Sequence, residues 1–510
     1  MNFTRREAVK HLTAAGAGAL LSQCASSQKH DRRPNILFIM TDDQTVDQMS
    51  CYGHPYLQTP NMDRIASEGT KFNNCFCTNS LCAPSRATVL NGCYSSNSGV
   101  QTNSYPMAGD PEQLNPDLMT FPELLRDAGY QTGLMGKYHI KQDPKGFDDW
   151  RILPGQGKYF DPVFIENGKN NQYKGYVTDI ITDKALTYLD GRDNTRPFCL
   201  VYQHKAPHRP FTPAPRHAKL WDDVDIPYPP TFEDDYSTRR AAKIATDMKL
   251  NVNLLNDYAE DISGMTDAEA KKWIYQRFVK DHNRAVAGVD ENLGRVLDYL
   301  DDEGIIDNTL IIYTSDNGFY LGDHGWYDKR FMYEPSLRLP LVIRYPRLGT
   351  PGQVTESFAL NIDFAPTILD IAGVEVPDYM HGRSLKPILA GNTPDEWRQS
   401  IYYHYYENYW LTVGPGRDAI EDEDFDYESF RKKVPSFAKN IHRVLPHRGI
   451  RNDRYKLIEY YTERDGYMEF FDLKTDPHEV RNVYGNAVYK DVIENMTREL
   501  KQLKARYDGV

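Results

Sequence analysis

The sequence predicts an α/β fold, with a large mixed, mostly parallel sheet flanked by helices and a smaller C-terminal antiparallel sheet that ends in a helix. Three observations point there. Short apolar runs ending in polar residues alternate with helical patterns up to about residue 390. Several helical stretches end in glycine, as helices often do. Near residue 398 the pattern changes to aromatic-rich runs typical of strands.

Taken in order, the main-sheet strands are NILFIMTDD (35–43), GYQTGLMGKYH (129–139), PFCLVYQHKAPH (197–208), TLIIYTSDNG (309–318) and LPLVIRYP (339–346). Between them lie the helix candidates TPNMDRIASEG, TFPELLRDAG, KDHNRAVAGVDENLGRVLDYLDDEG (280–304) and DFAPTILDIAG. Such alternation implies helices on both faces of the sheet. Residues 209–275 are polar and proline-bearing, which reads as a loop region with some helix. After residue 398, SIYYHYYENYW, RGIRNDRYKLIEYY and GYMEFFDLKTDPHE supply the small sheet, and Tyr489 to Arg506 the last helix. The charged stretch GPGRDAIEDEDFDYESFRKKVPSFAKN, within 411–447, is either a solvated excursion or a lid. The expected division is 1–24 as an export signal, 34–397 as the large domain and 398–510 as a C-terminal subdomain.

The hydrophobic share of 40% and charged share of 26% in 510 residues are those of a globular chain. After the first two dozen residues no apolar run is long enough to span a bilayer. A net charge of -12 argues against nucleic acid as a partner, yet leaves room for a local basic cluster that binds an anion. The start, MNFTRREAVKHLTAAGAGALLSQCASS, reads as an export signal of the twin-arginine kind, the alternative being an amphipathic first helix. Its Leu21-Ser22-Gln23-Cys24 end is similar to a lipoprotein cleavage site. The expectation is therefore an exported bacterial protein, periplasmic or held at the outer surface through a lipid on Cys24, with no other contact with the membrane. Seven irregularly spaced cysteines without a C-x-x-C pair form neither a disulfide scaffold nor a zinc site.

Ligands of parallel sheets bind beyond the carboxyl ends of the strands. Those ends carry Asp42-Asp43, then Lys137 and His139, then His204, Lys205 and His208, then Asp316-Asn317. Adjacent carboxylates need a compensating cation, and this oxygen-rich set suits a hard divalent ion, Ca²⁺ or Mg²⁺. Taken singly, either acidic pair is as well explained by a turn, and each histidine by a structural role. Pro84 suits a helix start and Gly92 an end, so residues 84–91 are expected to be helical with Cys82 at the mouth. The dipole and Arg86 would then lower the thiol's pKa.

Cys82-Ala83-Pro84-Ser85-Arg86, continuing through Leu90 and Gly92, resembles the signature of type I sulfatases, with Asn91 where threonine is usual. PNILFIMTDDQ, GKYH, HKAPHRP, SDNG and GDHGWYDKRFMYEPSLRLPLVIRYP are similar to sulfatase motifs in the same order. The resemblance implies an alkaline-phosphatase-like (sulfatase) fold and oxidation of Cys82 to formylglycine by a formylglycine-generating or anaerobic sulfatase-maturating enzyme. It also implies one Ca²⁺ held by Asp42, Asp43, Asp316, Asn317 and the modified Cys82. In such enzymes an oxygen of the hydrated aldehyde attacks sulfur. By resemblance, Arg86 and Lys137 hold that group and His139 takes its proton. His208, with His204, protonates the leaving oxygen or binds sulfate, and Lys329 grips the sulfate. His324 either orients its neighbours or packs.

Motifs such as HKAPHRP, GWYDKRFMYE, YYHYYE and RGIRNDRYKLI are most similar to bacterial N-acetylglucosamine-6-sulfatases and mucin-desulfating enzymes. The implied substrate is a sulfated glycan, with Arg330 and His447 as sugar contacts. The rivals are sulfatases of other sulfated sugars or aryl sulfates, a phosphonate or phosphodiester hydrolase on the same fold, and a non-catalytic glycan-binding protein.

Overall fold

A strand buried at every position must be covered on both faces, and NILFIMTD forms one, β1 (Asn35–Asp42). Ile36, Phe38 and Met40 enter one hydrophobic cluster, while Leu37 and Ile39 enter another. The computed structural model describes residues 33–103, 113–406, 442–461 and 466–508. The expected export signal (1–24) and the charged stretch at 414–440 lie outside the described residues.

Around β1 run β2 (Gln131–Lys137), β3 (Phe198–Pro207) and β4 (Thr309–Ser315), parallel in the order β4-β1-β3-β2. Next to β4, β5 (Leu341–Arg344) is antiparallel. Thr70–Phe72 and Gln353–Thr355 extend that side, and Asp149–Leu153, Val163–Glu166 and Lys169–Gln172 the other, for ten strands. The sheet is mixed, with its parallel pairs concentrated at the centre.

One face is covered by α1 (Cys82–Asn91) and α4 (Phe364–Ala372), the other by α2 (Val177–Asp190) and α3 (Asp267–Asp302). α3 begins thirteen residues before the expected 280, inside the polar stretch. Its start is a capping box in which Glu269 accepts from the Thr266 N–H at 2.8 Å, a signal masked by the polar residues around it. The rest of 209–275 is, as expected, loop with short helical turns. Phe211, Ile226, Phe232 and Leu254 pack there on Ile274 and Phe278 of α3, forming a third cluster.

The small sheet is antiparallel in the order β6 (Ser400–Tyr405), β7 (His447–Asn452), β8 (Tyr455–Tyr460), β9 (Tyr467–Asp472), and α5 (Lys490–Tyr507) follows it. RGIRNDRYKLIEYY folds as two strands because the Asn452 side chain accepts from the Arg454 and Tyr455 N–H groups at 3.0 and 2.7 Å, turning the chain. Ile401, Tyr402, Tyr403 and Ile450 join the cluster that holds Phe38 and Met40, so both sheets share one core. Among the described residues no helix is long and apolar enough to cross a membrane.

Candidate active site

α1 starts at Cys82, two residues earlier than expected from Pro84. Proline is tolerated at the third position because N–H groups of the first turn have no intrahelical partner. Asn103 Oδ1 accepts one of them, from Ala83, at 3.0 Å. All ten residues of the helix are buried, and it ends as expected at Gly92, with a φ of 67°. Its first side chain meets the strand ends: Cys82 Sγ lies 3.3 Å from Asp42 Oδ1 and 3.3 Å from Lys329 Nζ.

Two backbone features bring the other side chains in. A Cβ at Gly136 would stand 1.8 Å from the Gln203 carbonyl oxygen, so glycine alone lets β2 run this close to β3 and place Lys137 on Asp42. The β1–β3 register slips between Met40, opposite Gln203, and Asp42, opposite Pro207. Beyond that bulge His208 Nε2 stands 3.8 Å from Asp43 Oδ2, while Nδ1 faces the Arg209 carbonyl at 2.8 Å.

Asp42, Asp43 and Asp316 offer oxygens within 4.8 Å of one another. Asp43 N–H donates to Asp316 Oδ1 at 3.1 Å, and Asn317 Nδ2 to Asp43 Oδ1 at 2.6 Å. Three cations answer the three carboxylates. Lys137 pairs with Asp42, Lys329 with Asp43, and Arg86 contacts Asp316 Oδ2 through Nε at 3.0 Å and Nη2 at 2.8 Å. Burial pushes Asp316 up to about 7, with Asp42 adding to the shift, and also raises Asp43. For Asp42, Lys137 and its other cationic neighbours overcome burial and hold the carboxyl well below the usual range. Burial, reinforced by Lys137, keeps His139 and His208 neutral.

The donor set fits a hard divalent cation. Asp42, Asp43, Asp316 and Asn317 all offer oxygens, and Asn317 Oδ1 is buried with no hydrogen-bond partner among the described residues, an acceptor left for a cation. The three carboxylates are already balanced by three cations, so a divalent ion there would favour an anion bound beside it.

Three expectations need correction. Burial and the neighbouring Asp42 raise the Cys82 thiol instead of lowering it, with Lys137 and Lys329 opposing, while Arg86 makes its hydrogen bonds to Asp316, to Gln203 Oε1 at 3.0 Å and to the Lys137 carbonyl at 2.6 Å. His204 alternates onto the other face of β3, its ring 4.4 Å from that of Tyr202, and burial drops it to about 3. It is not placed to meet substrate. His447 is a core residue with both ring nitrogens engaged, Nε2 by Met332 N–H at 3.1 Å and Nδ1 by the Leu445 carbonyl at 2.7 Å.

The structure adds roles for further residues. Lys205, next to the excluded His204, is buried and pushed down to about 7 by burial and Lys137, with Asp42, Asp43 and Cys82 opposing. Its Nζ donates to the Arg209 carbonyl at 3.1 Å. Gln156 Oε1 accepts from Lys137 Nζ at 2.6 Å. Asp328 precedes Lys329, pairs with Arg330 and lies 2.7 Å from His442 Nε2, which places Arg330 beside the centre. The only signal for Lys205 was its position at a strand end. His324 Nδ1 donates to Asp234 Oδ2 at 2.6 Å, and among the described residues its ring hydrogen-bonds no residue of the centre.

Residues 34–374 match the model of the family described as Sulfatase. Residues 322–437 and 426–506 match the one described as N-sulphoglucosamine sulphohydrolase, C-terminal. The chain is 41% identical to an N-acetylglucosamine-6-O-sulfatase of Bacteroides thetaiotaomicron, over 96% of this chain and 90% of the relative. It is 28% identical to the human N-acetylglucosamine-6-sulfatase, over 93% and 85%. A solved structure of a protein in complex with its substrate D-glucosamine-2-N,6-O-disulfate superposes with a TM-score of 0.82 at 40% identity, covering 94% of this chain and 98% of that one. The phosphonate monoester hydrolase of Agrobacterium radiobacter, at 23% identity, TM-score 0.70, and 93% and 96% coverage, shares the fold.

Proposed function

The chain belongs to the sulfatase family and hydrolyses sulfate esters, and from that premise we propose that it removes the 6-O-sulfate of a terminal N-acetylglucosamine in mucin or glycosaminoglycan glycans. The observation that carries the substrate is the 41% identity, over nearly the whole chain, to an N-acetylglucosamine-6-O-sulfatase.

Asp42, Asp43, Asp316 and Asn317 would hold one Ca²⁺, together with formylglycine made from Cys82 by a maturation enzyme. When bound, the ion withdraws electrons from sulfate oxygens, and the modified residue offers an oxygen nucleophile. Lys329, between Asp43 and residue 82, is placed to hold a sulfate oxygen as a point charge. Arg86, fixed by Asp316 and Gln203, keeps the start of α1 against the strand ends. His139, neutral and with Nδ1 free of partners among the described residues, is suited to take a proton. His208 faces the centre through Nε2. An incoming anion opposes the burial that keeps it neutral, so His208 can carry the proton given to the leaving sugar oxygen. Lys205 lies on the same side, and an anion there would favour its charged form against the burial that lowers it.

Sulfate release from N-acetylglucosamine-6-sulfate and N-acetylglucosamine-3-sulfate tests the reading. Activity confined to the 3-sulfate or to aryl sulfates rejects it. Mass spectrometry of the tryptic peptide Phe72–Arg86, after thiol alkylation, reports whether Cys82 has become the aldehyde. We also place the enzyme outside the cytoplasm, in the periplasm or lipid-anchored through Cys24, on the strength of residues 1–24. Recovery of the protein from the native host's cytoplasm with that segment intact would reject the export.

A further inference from the structure

The GDHG motif, which carries His324, opens onto a second cavity of about 590 Å³. That volume is within the range of roughly 300–1,000 Å³ usual for small-molecule sites. Phe319 lines the cavity, and Lys329 Nζ lies 5.7 Å from its ring centroid, so the cavity neighbours the catalytic centre through a shared aromatic residue.

Its polar wall is held in place. His324 takes a φ of 56°, between Gly322 and Gly325, which are also at positive φ. Its Nδ1 lies 2.6 Å from Asp234 Oδ2, and Asp234 is in turn paired with Arg239. Its backbone is fixed at both ends, with N–H on Thr231 Oγ1 at 2.9 Å and the carbonyl accepting from Tyr236 Oη at 2.5 Å. The ring is buried, and among the described residues its side-chain contacts are made through Nδ1 and not Nε2. A buried, oriented imidazole with one nitrogen unused on a cavity wall is a group waiting for a polar ligand. Asp323 stands beside it, and Asp47 and His478 lie at the exposed edge. Tyr56, Tyr275 and Phe319 supply aromatic surface.

This chemistry narrows the ligand. Among the described residues, the groups close enough to hold a metal ion all lie at the catalytic centre. Of the three lining carboxylates, Asp47 and Asp323 oppose an anion, and the third, Glu334, lies 4.0 Å from Arg338 on the same wall. Aromatic surface beside hydroxyl-binding carboxylate and imidazole suits a sugar, whose apolar ring face packs on the rings while its hydroxyls hydrogen-bond. We propose that this cavity binds an unsulfated hexosamine unit of a glycan, apart from the site of sulfate cleavage. The inference rests on the chain acting on glycans and is independent of which ester it cleaves.

Calorimetric titration of the matured full-length enzyme with chitotetraose, a neutral N-acetylglucosamine oligomer, tests it. Binding is expected in the wild type and unchanged in Lys329→Ala. Tyr56→Ala and Asp323→Asn are each expected to weaken it about tenfold. Both cavity variants should retain the wild-type melting temperature and turnover of a sulfated monosaccharide, which separates a lost contact from a lost fold. No binding up to about 10 mM overturns the proposal. So does loss in Lys329→Ala with retention in both cavity variants, since the oligomer would then occupy the catalytic centre. Equal cavity binding of a 6-sulfated oligomer overturns the choice of an unsulfated ligand. An enzyme that binds chitotetraose in this way but leaves N-acetylglucosamine-6-sulfate intact would sink the proposed reaction and leave the cavity site standing.

Discussion

Two buried clusters of basic and acidic side chains differ in what they leave unfinished. Around Lys456, which is fully buried, the charges close on one another. Its Nζ lies 2.9 Å from Glu334 Oε1 and 2.5 Å from Glu479 Oε1, ionic contacts without hydrogen-bond alignment. Arg451 reaches Glu334 at 3.2 Å, and Glu479 Oε2 accepts from the Glu334 N–H at 2.7 Å. This cluster ties β8 and the turn at Glu479 to the segment that follows Lys329 and Arg330. Around Cys82 the charges are also paired, yet Asn317 Oδ1 and His139 Nδ1 have no hydrogen-bond partner among the described residues. Burial of charge therefore does not mark a site. What sets the Cys82 cluster apart is that the unpartnered Asn317 Oδ1 sits with three carboxylates whose oxygens lie within 4.8 Å of one another, a donor set that suits a cation.

The sharpest way to break this contrast is Cys82→Ala, expected to lower kcat/KM by about ten-thousand-fold or more with little change in stability. A variant that keeps a tenth of the activity would put the nucleophile elsewhere. Lys329→Ala should cost about a hundred- to a thousand-fold in kcat/KM, as for loss of one charge-stabilising group. A loss within a few-fold would make Lys329 a structural partner of Asp43 and erase the difference between the clusters.

On the closed side, Lys456→Ala leaves two buried carboxylates short of a cation and should destabilise by about 3–5 kcal/mol in denaturant unfolding. Turnover under folding conditions should stay near wild type. Lost turnover at unchanged stability would show that this cluster too serves the chemistry.

The smallest expected effect is a pH slope. Burial, with Glu334 adding and Lys456 opposing, raises Glu479 from 4.5 to about 7. The folded state then keeps a proton that the unfolded chain has lost, so this stability is full below about 4.5 and is lost as pH rises through about 7. Glu479→Gln should flatten that decline, which denaturant midpoints across the interval would report. An unchanged slope assigns the decline to other groups.

Much of this was legible in one dimension because its cause is local. The strict burial of NILFIMTD, the glycine at the end of α1 and the polar residues that end each parallel strand follow from backbone periodicity and turn chemistry. Asp42, Asp43, Asp316 and Asn317 could therefore be placed at one end of the sheet before any contact was known. Which neighbour of a strand-end pair faces inward was not legible. A bulge in β3 and the alternation beside it turn His204 away and bring Lys205 and His208 toward the carboxylates.

The sequence by itself determined the central strands and several of the helices, the residues delivered to the strand ends and the cysteine at a helix start. Only the tertiary structure decided that Arg86 serves Asp316 instead of the thiol, that His447 is satisfied inside the core, and that His324 faces a separate cavity. The division has a physical reason. Backbone periodicity is set by neighbours a few residues away, whereas the protonation and partners of a buried side chain are set by groups brought near from across the chain, such as Asp316 beside Arg86.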